Sequence, residues 1–102
     1  MMIHKQTADM QDVFSPSAHI SMARRCLGGM CMIVEPVKCS PVSGVPVSIV
    51  RSRLFDALPP VYAVISADFV NADDDEPRLG LAAWYPTLER AQEHVSRILE
   101  GL

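Results

Sequence analysis

The side chains of this 102-residue sequence with the most chemical potential are three cysteines, three histidines and one run of acids. His19, Cys26, Cys31 and Cys39 form the nearest approach to a metal constellation, because thiolates and an imidazole can complete the tetrahedral shell of Zn²⁺. Their spacing lacks a Cys-x2-Cys knuckle, and Cys26 is expected on the apolar side of a helix, where cysteine behaves as a small hydrophobe. Met30-Cys31-Met32 offers soft ligands of the kind Cu(I) takes. Met30 and Met32 share a face of any strand, however, so packing explains them more simply. A cysteine nucleophile would need His19 or His94 as its base, and no local signature supports that pairing. Gly28-Gly29 lacks the Lys-Ser/Thr of a phosphate loop and reads as a helix stop. No metal site, no catalytic set and no cofactor is therefore expected.

Two features suit partner binding instead. Asp73-Asp74-Asp75-Glu76 could dock into a basic pocket, although a solvated hairpin tip is the plainer reading; the pattern of an EF-hand is not met. Trp84 is the single tryptophan, and an exposed aromatic is the usual anchor of an interface. Core packing, with Tyr85 turned outward, is the competing reading. Arg24, Arg25, Arg51 and Arg53 are the residues that could line a local basic groove.

The elements that position these residues follow from periodicity. Ser15-Pro16, then Ser17 to Leu27 and Gly28-Gly29, predicts a helix with Ile20, Ala23, Cys26 and Leu27 on its apolar face. Met30 to Val37 predicts a strand and Lys38 to Gly44 a loop. Val45 to Leu58 fits both templates; Val47, Val50, Leu54 and Leu58 make a helical stripe, and helix is the favoured reading. Val61 to Val70 alternates cleanly as a strand. Asn71 to Arg78 is its turn. The strand Leu79 to Tyr85 then puts Leu79, Leu81, Ala83 and Tyr85 on one face and Trp84 on the other. Thr87 caps a last helix from Leu88 to about Glu100, with Glu93 and Arg97 as an i, i+4 pair. The expected class is α+β, order α-β-α-β-β-α. A small antiparallel or mixed sheet of three to four strands would be covered on one face by helices.

Length and composition bound the rest. At 11.2 kDa the chain is one domain, 1–102, with an N-terminal segment at 1–14 and a body at 15–102. Hydrophobic residues make up 49% and charged ones 21%, within the globular range. Mean hydropathy is positive at +0.17, an apolar surplus that a partner, most simply a second copy in a homodimer, would cover. Residues 1–55 carry six basic and three acidic groups, and 56–102 carry three basic and nine acidic. With a pI near 5.5, direct binding to duplex nucleic acid is not expected. Neither a secretory h-region nor an apolar run of membrane-spanning length is present, and three cysteines cannot all pair, so the expected compartment is the cytoplasm.

The function that fits is a non-enzymatic protein-binding or regulatory module, homodimeric, with Trp84 and Asp73, Asp74, Asp75 and Glu76 as contact residues. A narrower version is an inhibitor of a nucleic-acid-handling enzyme, its acids mimicking phosphates. The alternatives are a metal or thiol-redox regulator using Cys26, Cys31 and Cys39, and a small enzyme with a site at a dimer interface.

Overall fold

The computed structural model of the chain describes residues 13–68 and 78–101. The acidic run Asp73–Glu76 and the first twelve residues lie outside the described residues. Helix α1 spans Pro16–Leu27, followed by strands β1 (Met30–Cys39), β2 (Pro46–Arg53), β3 (Val61–Asp68) and β4 (Arg78–Tyr85), and by helix α2 (Leu88–Leu99). The four strands form one antiparallel sheet in the order β1-β2-β3-β4. The class is α+β, as the sequence predicts.

The segment expected as a second helix is a strand. Val47 and Ile49 pack beneath α2, whereas Val50 packs beneath α1, and Ser48 and Ser52 alternate with the former set. Because β2 is covered on both faces, Val50 is apolar on the face opposite Val47 and Ile49, and this break in strict alternation, continued by Leu54 in the following connection, is what also fits a helical stripe. The element order is therefore α-β-β-β-β-α. The two helices also lie on opposite faces rather than on one. Ala23 of α1 joins Val50, Ala63 and Ile65 in one core cluster, while Ala91 and Val95 of α2 join Val47, Ile49 and Val64 in the other.

Local chemistry sets the helix ends. Pro16 opens α1 with a preset φ, and Ser15 occupies the N-cap position without a side-chain cap bond. Thr87 Oγ1 accepts from the Arg90 N–H at 3.3 Å, the cap expected for α2. Glu93 and Arg97 are exposed and form no ion pair with each other; among the described residues the ion pair is Lys38 with Glu35 at 3.8 Å. β1 runs on through Pro36 to Cys39, which an edge strand tolerates because its outer N–H groups need no ladder partner. Ser40 then organises the loop: its Oγ donates to the Leu99 carbonyl at 3.2 Å and accepts from Val42 and Ser43. No helix among the described residues is long and apolar enough to cross a membrane.

Candidate functional site

At the C-terminal end of α1 the helix stops short of the sheet edge. Gly28 accepts the turn with φ 76°, and its N–H caps the Arg24 carbonyl at 2.8 Å. Gly29, at φ 77°, brings the backbone against β2 so closely that a Cβ would sit 2.5 Å from the Arg53 carbonyl oxygen. The chain then enters β1, leaving part of the sheet uncovered. There Leu27, Ser52, Leu54, Leu58, Pro59, Val61 and Trp84 line an apolar groove of about 340 Å³. Ser52 Oγ donates to the Gly28 carbonyl at 2.7 Å, so the single hydroxyl in the lining is already engaged.

Trp84 reaches this groove through a bulge. Val64 pairs with Ala83 but Ile65 pairs with Leu81, so Ala82 is an extra, unpaired residue in β4. The extra residue reverses the alternation: Leu79, Leu81 and Trp84 lie on the α1 face, and Ala83 and Tyr85 on the α2 face. This corrects the expectation that Trp84 points away from Leu79 and Leu81. Opposite Ala63 and beyond the last turn of α1, its indole remains 54% exposed. Leu54, Phe55 and Leu58 are also exposed at this end, at 55%, 66% and 47%. Leu54 and Leu58, expected on a helical stripe, belong instead to the β2–β3 connection, closed by the Leu58 N–H on the Phe55 carbonyl at 3.0 Å.

The other candidate residues are not brought together. His19 is fully buried, and the helix turns it inward where Cys26 was expected; Cys26 is exposed, its thiol 3.7 Å from Met22 Sδ. Cys31 is half-buried beside the Gly28 carbonyl at 3.6 Å, and Cys39 is exposed eight residues further along β1, a rise of about 26 Å. All three cysteines are free, and among the described residues no three metal-ligating side chains converge.

His19 has a role that residue type alone did not reveal. Its Nε2 faces the Val13 carbonyl at 2.7 Å, an acceptor only, so this nitrogen carries the proton. Nδ1 then accepts from Ser48 Oγ at 2.6 Å. Burial pushes the imidazole below its ordinary value near 6.5, opposed in part by the hydrogen bond to Val13. A serine hydroxyl on an imidazole resembles a nucleophile and its base. With Ser48 only 1% exposed and His19 0%, no substrate carbonyl can approach, and the pair instead pins α1 and Val13 to β2. On the opposite face, the Tyr85 hydroxyl and His94 Nδ1 are hydrogen bonded at 2.9 Å with the rings edge to face. Burial and the nearby Arg97 charge lower the His94 value.

Comparison with protein families, with curated proteins and with solved structures finds no match.

Proposed function

We propose that this chain is a small non-enzymatic protein-binding module whose docking surface is the apolar groove at the end of α1, anchored by Trp84. The observation that carries the reading is the half-exposed indole standing over a groove of leucine, valine and proline. Small-molecule sites place several polar groups to orient a ligand. Here the lining hydroxyl is spent on the Gly28 carbonyl, which suits an apolar side chain from another protein better than a polar substrate. Exposed aromatic anchors in desolvating pockets concentrate binding energy. A homodimer belongs to the same proposal, as does a cytoplasmic location, in keeping with three free thiols. The narrower inhibitor version would add Asp73, Asp74, Asp75 and Glu76 as contacts to a basic partner.

The test is capture from cell extract by the immobilised chain and by its Trp84→Ala variant, with circular dichroism confirming that both are folded. Wild type is expected to hold a companion at near-equal stoichiometry and the variant to lose it. Light scattering should give twice the 11.2 kDa chain mass for the free protein. A wild-type chain that retains nothing, or a variant that retains the same companion, overturns the reading.

A further inference from the structure

Val47 and Ile49 lie beneath α2, and the next two residues on that face of β2, Arg51 and Arg53, run out beyond its core cluster. They line a hollow of about 260 Å³ with Met30, Cys31, Met32 and Asp56, on the side of the sheet opposite the apolar groove. Both arginines are half-buried and stand about 7 Å apart along one strand face, so their charges repel. The neighbouring strands do not offset that repulsion. Arg51 faces Met32 and Tyr62 across the ladder and Arg53 faces Met30, positions where a carboxylate would give a favourable cross-strand pair. Asp56 is the one acid in the lining; it is exposed, and among the described residues neither arginine is ion-paired. Arg51 Nη2 rests on the Met32 thioether at 3.5 Å, a weak acceptor that supports the stem without satisfying the guanidinium fork.

We propose that this hollow binds a small phosphomonoester, its phosphate held between Arg51 and Arg53 and its organic group laid on the exposed thioethers of Met30 and Met32. Geometry and charge favour phosphate over carboxylate. A carboxylate presents two oxygens in one plane, which a single guanidinium fork saturates. A phosphomonoester presents three terminal oxygens around a tetrahedral centre and carries about −1.5 to −2 charge at neutral pH, which matches two forks side by side. Methionine sulfur is adaptable and makes favourable contacts with flat rings, so an aromatic substituent suits the remaining wall. The hollow is smaller than the usual pocket of about 300 to 1,000 Å³, which selects a small molecule. It lies apart from the Trp84 groove, and each reading stands without the other.

The test titrates the ¹⁵N-labelled full chain, at constant ionic strength, with phenyl phosphate, inorganic phosphate and benzoate. Phenyl phosphate is expected to move the amide signals of Met30, Met32, Arg51 and Arg53 and the Nε–H signals of both arginines, and to bind about tenfold more tightly than benzoate. Inorganic phosphate should move the arginine signals but bind more weakly than its phenyl ester. Arg53→Gln should weaken phenyl phosphate about tenfold, and Arg51→Lys, which keeps the charge but loses the fork, nearly as much, with circular dichroism confirming that both variants are folded. Signals that do not move, benzoate bound as tightly as phenyl phosphate, or full affinity in Arg53→Gln would each overturn the proposal. Equal binding of inorganic and phenyl phosphate would overturn the placement of the organic group on Met30 and Met32.

Discussion

Ser48 donates its hydroxyl proton to Nδ1 of His19 across 2.6 Å, in a part of the molecule sealed from solvent on both sides. The pair joins the first helix to the centre of the sheet, and the imidazole's other nitrogen extends the tie to Val13. The fold therefore depends on a neutral histidine.

That dependence has a sign. His19 is held below its ordinary value by burial, so protons bind the unfolded chain more readily than the folded one. Its contribution is fully present above about pH 6.5 and is lost as pH falls from there through the lower folded value. His94 is shifted in the same direction by burial and Arg97, and adds to the trend. Urea unfolding between pH 8 and 5 should show stability declining below pH 6.5. His94→Gln should keep most of the decline, and a curve flat across this range would contradict the account.

Ser48→Ala removes the donor and leaves Nδ1 buried without a partner. The expected loss is about 1 to 3 kcal/mol in urea unfolding at pH 8, with the fold retained. A variant as stable as wild type would mean that the pair carries no weight.

Gly29 and Gly44 share nearly the same positive φ, 77° and 76°, but not the same space. Gly44→Ala meets nothing within 4 Å and should cost only the left-handed penalty, about 1 to 2 kcal/mol. Gly29→Ala adds a collision with the Arg53 carbonyl and should cost clearly more, read as a larger drop in thermal midpoint. Equal effects would contradict the close approach.

Val95→Asp places a carboxylate among Val47, Ile49, Val64 and Ala91. A loss of about 5 kcal/mol or more is expected, comparable to the whole stability of a marginal domain of this size. Circular dichroism of the variant at 25 °C reads the outcome directly, and a native spectrum would contradict the core assignment.

Legibility in the sequence followed how locally each feature is determined. The helix at Leu88–Leu99 was fully readable, since Thr87, the apolar spacing and the polar opposite face all agree. β3 and β4 were readable from their alternation and the turn residues between them. β2 was not, because a strand buried on both faces resembles a helix in periodicity, and only the position of α1 on the far side of the sheet resolves it. The Ala82 bulge left no mark in an alternation that looks regular from Leu79 to Tyr85, yet it decides which face carries Trp84. Trp84 stood out as an anchor candidate from its type, with core packing as the competing reading. The groove beside it was hidden, because Leu27, Leu54, Leu58 and Val61 come from separate elements that only the tertiary fold assembles. His19 was legible as a polar residue in an apolar helix, but its partners Ser48 and Val13 were not.

The accessibility of Trp84 tests the central claim most directly, since it is the only tryptophan and its indole is 54% exposed in the free chain. Iodide quenching of its fluorescence should be efficient for the protein alone. In the complex with the companion it captures, the indole should be shielded from iodide and its emission should move to the blue. Quenching that is unchanged in that complex would contradict the assignment of this groove as the docking surface.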